Sequence, residues 1–581
     1  MNNIALIQQI VRRILEGGWP RNIPKRLAFV GCGVFFVFVY YFFYSPSSST
    51  PSASQQCVAD QFARKSIDFF EYKSTGSVSF VGNGFIGLDV AVDKQLLVYP
   101  VNETSRREPI FTSFRPLVDV VIPFAASDNK FHFVSDYTDG TSKAVHCSIV
   151  TDKCVCVSQS IYAHRTRPNL LIQDIRVSNP STSSLDITFK SRASDAKWER
   201  IESGALPVYF KGFDGSNGKV FIGLTCSKTP QQPATIKPQT EEIFVFFTKT
   251  AEKFIAANKL SSGALDVEHK HAWQMLNLAA FNISHSKVPD ALNADKINAT
   301  RYALLSSVRA PMLEISQSSV SIKMHEELLS KTELCYSGHS TMLTPSKLWQ
   351  DWSNIQELLK TVEIWLMTLE HRGCIHVLRA GAHGVAQAYI LSLTAATFTH
   401  HRLELGLEPE SDLHRHIRVE NLRFGPTGAL INLEFELDST YKPFVKVSSS
   451  RSGNQVDNVL YACSAGCLEA PKPIGKEPVE LSIKVTKPVT PILFIAATKS
   501  HLEQVKETLH VIEVGELTNL ESHKVELHKH GNTGLPTIFW VVLVVVLIAF
   551  HLFLFKLLYS EWKNSSSIPY TKFNKRFLLR R

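Results

Sequence analysis

The chain has 581 residues, of which 44% are hydrophobic and 20% charged, with 36 Phe and 10 Cys. This excludes intrinsic disorder and a single small core, and it calls for two or more domains. Of 62 basic and 53 acidic residues, twelve basic and two acidic lie in residues 1–26 and 556–581; the 50 basic and 51 acidic residues left between them exclude a nucleic-acid-binding surface as the source of the formal +9.

At the N-terminus, Ile4, Ile7, Val11, Ile14 and Leu15 share one helical face beside Arg12 and Arg13. That pattern predicts an amphipathic helix on the cytosolic membrane surface, with a disordered basic arm as the alternative. Leu27 to Tyr44 is an uncharged run of 18 residues with an aromatic end, enough to span a bilayer as an uncleaved anchor, or to serve as a cleaved signal peptide. The linker SPSSSTPSASQQ follows at 45–56.

From residue 77 to 250 the pattern is period two or short apolar runs, such as Phe85–Val92, Leu170–Val177 and Ile243–Phe247, which predicts a large β-sandwich. Gly82-Asn83-Gly84-Phe85-Ile86-Gly87 fits the GxGxxG dinucleotide fingerprint, but a strand-like alternation follows it where that motif needs a helix. Helical spacing begins near 250, at Ala251–Leu260 and Ala264–Phe281, and continues through Ala299–Val308, Trp349–Leu369 and Ala380–Ala396. Strands return between 417 and 515 as a second β domain. Thr537–Phe555 holds eleven Val, Leu and Ile residues before Lys556 and predicts a second membrane span. His551 inside it reads as a helix-packing residue near the cytosolic end.

Sequons stand at Asn102, Asn282 and Asn298 in the stretch this topology places in the lumen. Nine cysteines share that stretch, so an oxidising compartment and disulfides are expected, with an odd thiol left over. The spacing suggests Cys147 with Cys154 across a hairpin, Cys335 with Cys374, and Cys463 with Cys467 in a small loop. Cys154-Val155-Cys156 looks like half a metal site, but no second pair has matching spacing, and neither a metal nor a cofactor is expected. His400-His401 and His414-Arg415-His416 read as polar turn residues, and Arg165 and Arg167 as caps or ion pairs at a sheet end. The helical carboxylates Glu326, Glu327, Asp351, Glu357, Glu363 and Glu370 have helix-surface spacing.

Four segments, VGNGFIGLDVA (81–91), HRTRPNLLIQDIRVSNPSTSSLDITFK (164–190), EHKHAW (268–273) and RAGAHGVAQAYILSLTAATFTHHRLELGLEP (379–409), distantly resemble the maltose/trehalose phosphorylase and acid trehalase family. The resemblance implies a supersandwich, linker helices, a helical barrel and a C-terminal β-sandwich, and it places His383 near a phosphate site. Twelve barrel helices need roughly 200 residues. Only 101 residues run from Asn298 to Phe398, so the helical block is truncated and lacks the stretch that would carry the general acid. GNGFIGLDVAV, CYSGHSTM (335–342), YACSAGCLE (461–469) and FHLFLFKLLYSEW (550–562) more closely resemble an animal family of membrane glycoproteins defined by a domain of unknown function.

The expected fold is therefore α+β: a large N-terminal β-sandwich, linker helices, a truncated α/α block and a C-terminal β-sandwich, flanked by two transmembrane helices. The expected divisions are a basic segment 1–26, an anchor 27–44, a linker 45–56, a lumenal β-sandwich 57–250, linker helices and helical block 251–400, a C-terminal β-sandwich 401–515, a tether 516–536, a membrane helix 537–557 and a basic cytosolic tail 558–581. The expected function is a non-catalytic, glycosidase-derived ectodomain acting as scaffold or accessory subunit of a membrane complex, in lipid-handling or protein-maturation machinery of the endoplasmic reticulum. The expected partners are the bilayer and other integral membrane proteins. The alternatives are a glycan-binding protein and an active hydrolase or phosphorylase with a shortened barrel; the ligand candidates are His383, Arg165 and Arg167.

Overall fold

A computed structural model describes residues 56–58, 60, 78–92, 94–99, 108–122, 132–150, 153–192, 197–203, 206–215, 218–250, 262–288, 291–343, 347–399, 402–409, 411–451, 459–514 and 537–565. The segments 1–44, Ala251–Leu260, Asn102 and His400-His401 lie outside them.

The first fifteen strands are β1 (Phe80–Gly82), β2 (Ile86–Asp89), β3 (Leu96–Val98), β4 (Ile110–Phe111), β5 (Val118–Val121), β6 (His132–Asp136), β7 (Thr141–Val150), β8 (Lys153–Ala163), β9 (Leu170–Asn179), β10 (Leu185–Ser191), β11 (Glu199–Ser203), β12 (Leu206–Gly215), β13 (Gly218–Cys226), β14 (Ala234–Ile236) and β15 (Thr240–Thr250). Eight of them form one antiparallel sheet in the order β11-β12-β13-β15-β9-β8-β7-β6. One face of it is covered by two smaller sheets, β1-β2-β3-β4 and β14-β10-β5. Alternation explains the packing, because Val155, Val157, Ile161, Ile175 and Val177 all point to one side and are buried there. Gln173 sits at the seam, where it donates to the Val118 carbonyl at 2.9 Å and accepts from the Val118 amide at 2.8 Å.

Helices follow: α1 (Ser262–Asn277), α2 (Ala294–Ser306), α3 (Ser319–Ser330), α4 (Ile355–Leu369), α5 (Ile375–Leu378) and α6 (Ala382–Leu393). Asn354 caps α4 by accepting from the Glu357 amide at 2.9 Å, and Glu357 reaches back to the Ser353 amide at 2.8 Å. α6 is apolar almost all round and is buried at every residue except His383. It is the centre of a core shared by the helices and the C-terminal sheets.

The second β region contains β16 (Ala280–Ile283), β17 (Ala396–Thr399), β18 (Arg402–Leu405), β19 (Ile417–Phe424), β20 (Ala429–Leu437), β21 (Pro443–Arg451), β22 (Leu460–Ser464), β23 (Lys472–Ile474), β24 (Val479–Ser482), β25 (Thr486–Lys487), β26 (Leu493–Ala496) and β27 (Ile512–Glu513). Two five-stranded antiparallel sheets, β16-β19-β20-β21-β24 and β17-β18-β26-β22-β23, make up its bulk, and α7 (Lys499–Leu509) packs on the second. α8 (Thr537–Ser565) comes last; it is about 43 Å long and, among the described residues, the one helix long and apolar enough to cross a membrane. The fold is mixed α+β, with eight α-helices among the described residues.

Three sequence expectations are corrected. The helix expected over Ala264–Phe281 ends at Asn277, because Arg301 takes the carbonyls of Leu276 and Ala279 at 2.9 and 2.8 Å and the chain then pairs Ala280 with Glu420 as a strand. Cys147 bonds to Cys156, its directly opposed neighbour on β8, and not to Cys154. Cys154 shares that face and takes Cys57 instead, 97 residues earlier. Cys335–Cys374 and Cys463–Cys467 are joined, and Cys226 is a buried free thiol. Finally, α8 runs beyond the span expected at 537–557, to Ser565.

Gly140 has φ +66°, and a Cβ there would lie 2.0 Å from Nε1 of Trp273 on α1. Gly140→Ala is therefore expected to destabilise the protein by about 2–4 kcal/mol, since backbone strain and a clash with a buried indole act together. Chemical denaturation of the full chain in detergent checks this.

Candidate functional site

A buried polar cluster lies where the eight-stranded sheet meets α1, α2 and α6. It begins at the Gly82-Asn83-Gly84 turn. Asn83 Nδ2 donates to the carbonyls of His164 and Pro168 at 3.0 and 2.9 Å, and Asn83 Oδ1 accepts the amides of Phe85 and Ile86 at 2.9 and 3.0 Å. The turn is thus a clamp on the β8–β9 connection. Gly84, at φ +78°, lies so close to the Val308–Arg309 backbone that a Cβ would fall 2.1 Å from the Arg309 nitrogen.

The clamped connection, His164-Arg165-Thr166-Arg167, docks onto α1. His164 Nε2 lies 3.0 Å from the Leu265 carbonyl oxygen, and the Arg165 amide donates to His269 Nδ1 at 3.2 Å. Thr166 donates to Glu268 Oε1, and Arg167 donates to Glu268 Oε2 at 3.2 Å. Arg165 is 1% exposed. Its Nη2 donates to the Val308 carbonyl at 2.8 Å, and its guanidinium carbon stands 5.5 Å from the centre of the Trp273 ring. Its Nε and Nη1 are buried without a hydrogen-bond partner among the described residues. Burial pulls the Arg165 guanidinium down to about 10, with Glu314 opposing, so it stays charged at neutral pH.

Arg309 and Glu314 form a two-pronged ion pair with Glu314 buried, and the Arg309 carbonyl accepts the Ala382 amide at 2.8 Å. This joins the start of α6 to the cluster. His383, the second residue of α6, is half-buried, and its Nδ1 has no partner among the described residues. Burial lowers its pKa to about 4, and the charges of Arg165 and Arg423 push the same way. One turn on, Gln387 donates to the Asn421 carbonyl and accepts from the Arg423 amide, both at 3.0 Å, which fixes β19 against α6.

Of the ligand candidates, Arg165 and His383 lie near enough for their charges to interact, whereas Arg167 faces Glu268 at the sheet end. Sequence reasoning passed over Glu314, Arg309 and Arg423. The run HRTR and the motif EHKHAW were the signals for the rest; nothing local marks Arg423, which arrives from the C-terminal sheet. Chemically, the centre is cationic. Its two carboxylates, Glu268 and Glu314, are each tied to an arginine. For Glu268, burial favours the protonated form, but the hydrogen bonds from Thr166 and Arg167 outweigh it and hold the carboxyl below its usual range. The helical carboxylates stand outside this centre: Glu326, Glu327, Asp351, Glu363 and Glu370 are exposed, and Glu357 caps α4.

Asn282 is exposed on β16, whereas Asn298 lies half-buried within α2 beside buried Thr300. Digestion with an endoglycosidase and peptide mapping are expected to find a glycan on Asn282, and Asn282→Gln is expected to remove one glycan's mobility shift.

His164, at about 4, His269, well below its usual value, and His383 all have folded-state pKa values under the unfolded value of roughly 6.5. Burial is the first cause in each. The unfolded chain binds more protons between pH 6.5 and about 4, so these groups' full contribution is present above pH 6.5 and is lost as the pH falls. Thermal unfolding is expected to show Tm falling steadily over that interval, with a shallower fall in His383→Gln.

Comparison with known proteins shows what the chain as a whole is similar to. The model of the family described as "Uncharacterized conserved protein (DUF2152)" matches residues 9–576. An "Uncharacterized protein KIAA2013 homolog" from Xenopus tropicalis is 28% identical over 539 residues, covering 84% of each chain. Its counterpart from Xenopus laevis is 29% identical over 457 residues, covering 72% of each. Among solved structures, a "Putative kojibiose phosphorylase from human microbiome" gives a TM-score of 0.32 at 10% identity, covering 58% of this chain and 60% of that one, a likeness too slight to bear on activity. The chain belongs to the DUF2152 family.

Proposed function

We propose that this member of the DUF2152 family is a membrane-anchored lumenal glycoprotein of the endoplasmic reticulum. Its ectodomain is a non-catalytic descendant of a carbohydrate-active enzyme, with a shortened helical block, and it serves as a scaffold or accessory subunit of a membrane complex in lipid handling or protein maturation. The observation that carries this reading is the state of the two carboxylates at the centre. Inverting glycoside chemistry needs an acid and a base, or an acid and phosphate, facing each other across a bond. Here Glu268 and Glu314 are each held by an arginine, as structural ties between sheet and helices.

The anchoring supports the same reading. Four disulfides favour an oxidising compartment, and α8 follows the stapled domain within the same chain. Leu27–Tyr44 is read as a second, uncleaved anchor, which puts both basic flanks in the cytosol.

Purification of the tagged full-length chain from native membranes in mild detergent, with quantitative mass spectrometry, tests the proposal. The expected result is a stoichiometric integral membrane partner that is retained with Glu268→Gln. A partner-free monomer, or turnover of a glucosyl disaccharide lost in Glu314→Gln but kept in a surface variant such as Glu363→Gln, overturns it.

A further inference from the structure

α8 presents a seam. Val544, Leu547, Ile548, His551, Leu552 and Phe555 recur at three- and four-residue spacing and line a shallow groove along one face of the helix. We propose that the chain's own N-terminal apolar segment, Leu27–Tyr44, lies antiparallel in this groove, so that the two spans close as a hairpin in the membrane. The inference rests on the reading of Leu27–Tyr44 as an uncleaved anchor.

His551 supplies the first argument. Its Nδ1 lies 2.7 Å from the Leu547 carbonyl oxygen, one turn back, and so donates to it. That leaves Nε2 as an acceptor that needs a donor in hydrocarbon. Depth supplies the second. His551 stands five residues before Lys556, and Cys32 stands six residues after Arg26. With both basic flanks on the cytosolic side, the two residues sit at the same level, roughly 7–9 Å inside the flanks at helical rise. Cys32 carries an S–H donor, and Ala28, four residues before it, completes a small-residue step. In the antiparallel register Ala28 meets bulky Phe555 and Cys32 meets His551, so small residues face large ones.

Chain length supplies the third. The Cys57–Cys154 disulfide ties the N-terminal chain to the folded sheet after only twelve residues, 45–56, beyond Tyr44. The second span begins 22 residues, 515–536, beyond Val514. Tethers of roughly 40 and 70 Å at full stretch keep each span near the other, at an effective concentration on the order of millimolar. A second copy has no such advantage.

Disulfide trapping in native membranes tests this. The full-length chain carries Leu552→Cys beside native Cys32, a protease site in the 515–536 tether and different tags at its ends, and is oxidised with copper phenanthroline. After cleavage, the C-terminal fragment is expected to stay bonded to the N-terminal one without reductant. Phe550→Cys, at similar depth but on the opposite face, and Cys32→Ser with Leu552→Cys are expected to lose the bond, and His551→Leu is expected to lower its yield severalfold. Bonds formed only between differently tagged copies overturn the proposal in favour of a second copy. Absence of a bond while the N-terminal tag is present and protease-accessible from the cytosol overturns the hairpin but leaves the two anchors standing. Loss of the N-terminal tag from the mature chain overturns the two-anchor reading and the hairpin with it.

Discussion

Burying the guanidinium of Arg165 sets the terms for the joint between the sheets and the helices. A charge withdrawn from water is tolerable only where fixed dipoles and π faces replace the water, and losing one such partner costs about 3–5 kcal/mol. Arg165 finds the Val308 carbonyl just past α2, the Trp273 ring on α1 and the field of Glu314. These come from three places in the chain, so the sheet, the linker helix and the helical block must meet for the cation to be accommodated. The Asn83 clamp and the Gly84 and Gly140 close approaches allow that meeting without a gap.

The same device recurs around the joint. Arg301 gathers the carbonyls that end α1, Arg309 holds Glu314 while its own carbonyl receives the start of α6, and Arg415 donates to the Leu292 carbonyl at 2.7 Å. Arg301 and Arg415 satisfy with side chains the backbone carbonyls that a helix end or a crossing leaves open, whereas at Arg309 the backbone itself receives the helix start and the side chain pairs with Glu314. The centre that results is positive. Its carboxylates, Glu268 and Glu314, are each paired with an arginine and so help to hold it together. Neutral histidines at the same joint link its integrity to pH above the range where they would charge.

The disulfides act at a different level. Cys57–Cys154 closes a loop of 97 residues and fixes the point where the chain arrives from its N-terminal side, while Cys147–Cys156 braces the hairpin beside it. Cross-links of that kind act chiefly by restricting the unfolded chain.

Much was legible in the sequence because it is local. Period two marked Ile417–Phe424 and Ala429–Leu437 as strands, a short apolar run marked Leu493–Ala496, and the long uncharged apolar run marked α8. The short loop between Cys463 and Cys467 suggested its own bridge. What tertiary structure alone decided is what depends on register and on distant partners. Cys147 meets Cys156 because the β7–β8 register opposes them, and no spacing rule separates that from Cys154, two residues away on the same face. Ala280–Ile283 continues a helical pattern in sequence yet becomes a strand, because the free edge of β19 offers it hydrogen bonds. Arg423 acts on His383 only because Gln387 fixes β19 against α6. Periodicity reports which face of an element seeks burial; it carries no record of which other element will cover it, and the polar centre is made of those choices.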